Sequence, residues 1–268
     1  MSAHEEALAR IRHAAETGAT ELDLSWLRLT ALPPEIGQLT RLQSLDLGGN
    51  QLTALPPEIG QLIKLQTLNL RANQLITLPP EIGQLTSLQT MNLRANQLTT
   101  LPPEIGQLTS LQTLDLSYNR LTALLPEMWR LPRLVKLDIS GNSLPELPPE
   151  LWQKSDWEEL GLAGLNLTAL PPEVWRLPRL VKLDISGNPL PELPPELWQK
   201  SDWEELGLAG LNLTTLPPEI GRLTNLQTLN LSYNRLTALP PEIGQLTSLQ
   251  SLNPVSYTHL TLPTIYSV

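Results

Sequence analysis

One interval dominates this chain. Every 23 residues it returns to the same slot, occupied in turn by Asn50, Asn73, Asn96, Asn119, Asn142, Leu165, Asn188, Leu211 and Asn234. Apolar residues stand five and three places before the slot and two and five after it, as at Leu45, Leu47, Leu52 and Leu55. Leu27, flanked by Leu22, Leu24, Leu29 and Leu32, fills the slot one interval earlier. A repeat this strict gives a solenoid, in which each unit packs only on its neighbours and the product is an extended surface.

One unit, Leu45 to Thr67, reads LDLGGNQLTALPPEIGQLIKLQT. Its opening Leu-x-Leu alternates with period two and predicts a short strand with both leucines inward. Asn50 is polar among leucines, so it must be hydrogen-bonded if buried. Its amide can bond backbone groups of its own turn and of the next coil. The seven asparagines of the slot (Asn50, Asn73, Asn96, Asn119, Asn142, Asn188 and Asn234) thus predict a ladder. Pro56 and Pro57 turn the chain, and Glu58 to Leu62 allows a short helical or 3₁₀ turn with Ile59 and Leu62 inward. Leu27, Leu165 and Leu211 remove the ladder amide, which predicts local weakening there. Asn166 and Asn212 are displaced by one residue and are expected to face outward.

The unit resembles the leucine-rich repeat, in the LPxEIxxLxxLxxLxLxxNxL form common in bacterial proteins. The resemblance covers residues 20–253, about ten repeats. It implies an α/β solenoid bent as a horseshoe, with a parallel sheet on the concave face and irregular or 3₁₀ turns on the convex face. Residues 1–18 differ in pattern and predict an amphipathic capping helix: Ser2 and Glu5 as a capping box, Leu8, Ile11 and Ala15 as the apolar face, Gly18 as the stop. Residues 19–253 form the repeat domain. Residues 254–268 leave the frame, with Pro254 where a leucine is due. Back-translation of Pro254 to Thr264 resembles a sequencing-adapter string, so this tail reads as non-native and the natural chain is expected to continue past Asn253.

Composition narrows the function. A net charge of −9 argues against nucleic acid as a partner, because phosphate neutralisation needs a basic stripe. No run approaches the roughly 18 apolar residues of a membrane span, and no apolar leader precedes a cleavage site. Cysteine is absent, which favours a reducing compartment, so a cytoplasmic location is expected. No catalytic group is predicted: His4 and His13 lie in the cap and His259 in the tail, and no GxxxxGK loop occurs. No metal or other cofactor is expected either.

Function should then lie where repeats differ. Residues 127–172 and 173–218 are tandem copies that differ only at Met128/Val174, Ser143/Pro189 and Ala169/Thr215. Lys136, Glu159, Lys182 and Glu205 alternate in sign on successive strands and predict a self-satisfied ladder. Arg71 and Arg94, beside Asn69 and Asn92 and flanked by Asp46 and Asp115, either bind a carboxylate or are neutralised by those aspartates. Tyr118 and Tyr233 stand at the strand exit, each followed two residues later by Arg120 and Arg235, and Trp26 holds the equivalent place in the first repeat. These types anchor interfaces, so Trp26, Arg71, Arg94, Tyr118, Arg120, Tyr233 and Arg235 are the candidate partner-binding residues. Trp129, Trp152, Trp175 and Trp198 replace the glycine of EIGQL and predict a convex ridge, covering the turns or making a second contact. Trp157 and Trp203 fall at a core leucine position.

The expected function is a non-catalytic module that binds a protein or peptide on the concave face. A second resemblance, carried by residues 5–47, is to the start of bacterial Roco proteins; it implies a sensor array ahead of a GTPase domain whose motifs have no matching positions here. Sequencing across the codon for Asn253 tests this. A stop or polar cap within some thirty codons leaves a stand-alone binder, and a downstream GxxxxGK[ST] makes the array a GTPase sensor.

Overall fold

A computed structural model describes residues 2–144, 146–190 and 192–253. The 254–268 tail therefore lies outside the described residues. The chain divides into two compact units, Met1–Lys154 and Ser155–Val268. The first opens with helix α1 (Ala3–Thr17), followed by six three-residue strands: β1 (Glu21–Asp23), β2 (Ser44–Asp46), β3 (Thr67–Asn69), β4 (Thr90–Asn92), β5 (Thr113–Asp115) and β6 (Lys136–Asp138). Each strand pairs in parallel with the next, residue against its equivalent 23 places on, as Thr67 with Thr90 and Asn69 with Asn92. The second unit holds β7 (Glu159–Gly161), β8 (Lys182–Asp184), β9 (Glu205–Gly207), β10 (Thr228–Asn230) and β11 (Ser251–Asn253), paired by the same rule. Both units are leucine-rich solenoid, as the 23-residue frame predicts.

Opposite the strands, most Pro-Pro steps enter a 3₁₀ turn, while Pro148-Pro149 and Pro194-Pro195 lead into the short α-helices α2 (Glu150–Gln153) and α3 (Pro195–Gln199). Pro56 is extended, Pro57 opens the turn Pro57–Gln61, and Ile59 N–H donates to the Pro56 carbonyl at 3.0 Å. Proline suits this first position because its missing N–H would be unbonded anyway. Ile59 and Leu62 point inward and are fully buried. Glycine at the fourth residue lets coils close up: a Cβ on Gly83 would sit 2.7 Å from the Glu104 carbonyl oxygen.

The slot asparagines are buried and form the ladder, in the direction opposite to the one expected. Asn73 Nδ2 donates to the Leu70 carbonyl of its own turn at 3.0 Å and to the Leu47 carbonyl of the preceding coil at 2.9 Å. Its Oδ1 accepts from Leu52 N–H of that same preceding coil at 3.0 Å. Asn50, Asn96, Asn119, Asn142, Asn188 and Asn234 repeat the pattern.

At the leucine slots Leu165 and Leu211 the backbone hydrogen bonds are rearranged. Asn188 Oδ1 accepts from both Leu165 and Leu167 N–H, at 3.1 and 3.0 Å, and Asn234 Oδ1 likewise serves Leu211 and Leu213. Leu190 N–H, which an asparagine at 211 would have bonded, instead donates to the Asn188 carbonyl at 2.9 Å. This rearrangement uses a second left-handed residue just after the slot: Arg28, Asn166 and Asn212 have φ of 61°, 58° and 59°. Asn166 and Asn212 are exposed, and asparagine tolerates that conformation better than most residues.

Helix α1 carries the Ser2–Glu5 capping box, with Ser2 N–H donating to Glu5 Oε2 at 2.7 Å and Glu5 N–H to Ser2 Oγ at 3.2 Å. Gly18 ends it with φ 64°. The buried face is Ala7, Ile11 and Ala14, not Leu8, Ile11 and Ala15. Small residues let the helix lie close over the first repeat, and Leu8 is left half-buried at the margin.

Asn96→Leu alone strands the Leu75 N–H and leaves the Leu70 and Leu93 carbonyls with only the neighbouring amides of Asn73 and Asn119, and should cost about 1–3 kcal/mol. Adding Gln97→Gly, which supplies the left-handed residue found after Leu165 and Leu211, should recover part of that loss. Urea denaturation followed by circular dichroism compares the two; no recovery would refute the compensation.

Candidate functional site

The strand ends build the site. The last strand residue forms the second of three outward columns on the strand face, the first being the opening strand residue and the third lying two places past the last. In every repeat of the first unit this second-column side chain caps the strand by accepting from the backbone N–H two residues on. Asp23, Asp46, Asn69, Asn92, Asp115 and Asp138 do so through Oδ1, at 2.8, 2.8, 3.2, 3.0, 2.9 and 2.9 Å. Asx side chains make such turns readily, which explains why the strands are so short. At Asp23 the Ser25 hydroxyl, then the Ser25 N–H and last Arg10, hold the carboxyl below its ordinary value of 3.8, against a smaller upward push from burial.

Two residues past each cap, Arg71 and Arg94 occupy the third column on adjacent, in-register strands. Both are exposed. Among the described residues neither makes an ion pair with Asp46 or Asp115. Asp46 Oδ1 is bonded by Gly48 N–H and Asn69 Nδ2, and Asp115 Oδ1 by Ser117 N–H and Oγ. Arg94 instead donates from Nη1 to Ser117 Oγ at 3.2 Å and lies over the Tyr118 ring, 4.4 Å from its centroid, a cation–π contact. Neutralisation by the flanking aspartates is therefore not what the geometry shows.

One residue further on, the backbone turns left-handed in every repeat. Trp26, Gly49, Ala72, Ala95, Tyr118 and Gly141 have φ between 53° and 67°. The conformation is imposed by the sheet, because each N–H in this position donates to the next repeat: Trp26 to the Gly48 carbonyl, Gly49 to that of Arg71, Ala72 to that of Arg94. Glycine suits this region and bulky residues are strained in it. Trp26 and Tyr118 occupy it nevertheless, 68% and 53% exposed. Each ring lies over a glycine of the following repeat: a Cβ on Gly49 would meet Trp26 Cδ2 at 2.4 Å, and one on Gly141 would meet Tyr118 Cδ1 at 3.0 Å. Arg71 approaches the same floor from the other side, since a Cβ on Gly48 would come 3.3 Å from its Cγ. Gly48 and Gly49 thus bring Trp26 and Arg71 onto one strip that continues through Arg94 to Tyr118.

The remaining candidates divide. Arg120 is exposed just past the ladder, and its backbone N–H bonds the Leu98 carbonyl at 2.9 Å. In the second unit Tyr233 is left-handed and 77% exposed, with Arg235 exposed two residues on. The tryptophan ridge is corrected. Trp152, Trp175 and Trp198 are only 9%, 6% and 4% exposed, and Trp129 is half-buried. Their indoles turn under the loops instead of standing on the surface, since exposing them would leave large apolar area in water. Trp198 walls a cleft of about 660 Å³ with Leu211 and Leu216, and Trp175 one of about 300 Å³ with Leu190 and Leu193. Trp157 and Trp203 are fully buried core, as their position predicts.

The charge column is self-satisfied where its pairs are visible. Lys182 binds Glu205 and Arg179 binds Glu158. The Glu205 hydrogen bond, with the nearby Glu159 and Glu204 charges, holds the Lys182 ammonium above its ordinary 10.5 against a smaller desolvation effect. Among the described residues no three His, Cys, Asp or Glu side chains gather as a metal site, and no helix is long and apolar enough to cross a membrane.

Comparison with known proteins gives a consistent picture. Family profiles described as leucine-rich repeat regions match residues 21–97, 86–144, 179–200 and 204–260. A leucine-rich repeat protein of Leptospira interrogans is 35% identical, with TM-score 0.55, over 90% of this chain and 79% of that one. A TDR receptor is 29% identical, with TM-score 0.72, over 91% of this chain and 45% of its own. The plant peptide hormone receptor RGFR1, solved in complex with RGF2, is 26% identical, with TM-score 0.57, over 88% of this chain and 47% of its own. No curated protein matches.

The Lys182–Glu205 pair gives a signed pH test. A raised lysine contributes stability below its unfolded value of 10.5 and loses it as pH rises through the folded value. The stability difference between the natural chain and Lys182→Met should be at most about 1 kcal/mol at pH 8 for so exposed a pair. It should shrink above pH 10.5. A difference that grows in alkali, read by urea denaturation, would contradict the pairing.

Proposed function

The chain belongs to the leucine-rich repeat family, and from that premise we propose that it is a binding module which takes a protein or peptide on the strand face, without chemistry of its own. The observation that carries this is the pair of exposed aromatics, Trp26 and Tyr118, held in left-handed backbone where neighbouring repeats place glycine or alanine. Such residues lower stability twice, through backbone strain and through apolar area left in water. A partner that covers the rings would offset both. The peptide hormone receptor among the structural neighbours supports the reading by analogy of scaffold. A cysteine-free composition suits work in a reducing compartment.

The test is a footprint. Binders selected on the full chain from a library of displayed random peptides should slow amide exchange in β2 to β5 when added back. Trp26→Ala and Tyr118→Ala should each weaken binding about tenfold or more, or roughly 1.4 kcal/mol. Protection confined to the 3₁₀ side, or binding indifferent to both substitutions, would overturn the proposal.

A further inference from the structure

The second and third columns of the first unit vary together. Where the third column is Ser25, Gly48, Ser117 or Ser140, the capping residue is an aspartate: Asp23, Asp46, Asp115 or Asp138. Where the third column is Arg71 or Arg94, the cap is Asn69 or Asn92. The cap itself does not require this change, since the Asn69 and Asn92 oxygens accept the same backbone N–H that the aspartates accept. What the asparagines remove is negative charge, and they remove it in the two repeats that carry the cations. An internal carboxylate beside each arginine would have formed an ion pair there and closed the site to an outside one. Instead two like charges stand on neighbouring strands about 4.8 Å apart, with no carboxylate on either among the described residues. Asn92 adds an amide NH₂ that, among the described residues, no group in the molecule accepts.

The flanks fix the length and direction of what can lie there. Trp26 and Tyr118 are four repeats apart, or about 19 Å at the strand spacing, with Arg71 and Arg94 between them. An extended chain advances about 3.3 Å per residue, so about six residues cover the distance. The whole chain is acidic, at −9, so a local cationic pair draws an acidic segment to this strip against the general repulsion of the rest.

We propose that this strip takes an extended acidic segment of a protein or peptide, about six residues long, with carboxylate side chains on Arg71 and Arg94 and an apolar residue against Trp26 or Tyr118. The assignment rests on the strand-face binding proposed above and names its chemistry. Random heptapeptides displayed as fusions, so that their own C-termini are not free, are selected in parallel on the full chain and on Arg71→Gln/Arg94→Gln. Both substitutions are exposed and leave the backbone caps in place, and a thermal melt verifies the fold. Selection on the natural chain should enrich Asp or Glu at central positions, and the double variant should lose that enrichment. An amide-capped synthetic winner should bind the variant about tenfold weaker or worse, and added salt should weaken its binding to the natural chain.

Enriched peptides that lack acidic residues but still protect β2 to β5 would sink this inference while leaving the binding module standing. Acidic winners that bind both proteins equally would do the same. A single-stranded oligonucleotide that competes as well as the peptide would assign the arginines to phosphate and overturn it. No enrichment on the natural chain would remove both proposals.

Discussion

The buried amide at the ladder slot is the interaction on which the rest of each repeat depends. It is polar in a core made almost wholly of leucine, and its removal without compensation would leave a buried N–H unbonded and take one of two ladder donors from each of two carbonyls. Because Oδ1 reaches back one coil and Nδ2 binds both that coil and its own, each amide sets the position of a turn relative to the one before it. The backbone just ahead of the slot is left-handed whether the slot holds asparagine or leucine, and its N–H bonds the next repeat; that conformation puts its side chain at the exit edge of the strand face. Trp26 and Tyr118 reach the surface at this position, each with its own N–H bonded to the next repeat.

This coupling explains why the leucine slots are tolerated. Replacing the amide alone would break the backbone account, so each leucine is followed by a second left-handed residue, and at Leu165 and Leu211 the next asparagine accepts twice. Both second-unit leucine slots, at 165 and 211, use asparagine for the extra left-handed position. The first repeat uses Arg28, a costlier choice, at the repeat where α1 packs and Arg10 donates to the Asp23 carbonyl at 3.1 Å.

Much of the fold was legible because a strict period makes every position a vote. The strands, the parallel register, the proline-led turns, the core tryptophans and the capping box follow from spacing and residue chemistry. What escaped depends on side-chain direction and close approach, which spacing does not encode. The helix face shifted from Leu8 and Ala15 to Ala7 and Ala14 because the docking distance favours small residues. The tryptophans at 152, 175 and 198, read as a ridge that either covers the turns or makes a second contact, are buried. At the candidate site the residue types were readable, but the glycine floor was not. Gly48-Gly49 reads as a turn variant until the positions of the Trp26 indole and the Arg71 stem above it are known. The signal was present in the column itself, where Gly49, Ala72, Ala95 and Gly141 mark a position that asks for left-handed backbone.

The contrast in how charge is handled separates decoration from site. In the second unit strand-face charges pair with one another, Lys182 with Glu205 and Arg179 with Glu158. Such pairs keep a surface soluble and add little to stability or recognition. In the first unit the same sheet geometry places Arg71 and Arg94 side by side, and the residues best placed to neutralise them are asparagines. A solenoid can copy a closed surface any number of times without acquiring a ligand. It acquires one where a repeat leaves a charge open and places an aromatic beside it, and Arg94 stacked on Tyr118 is that arrangement.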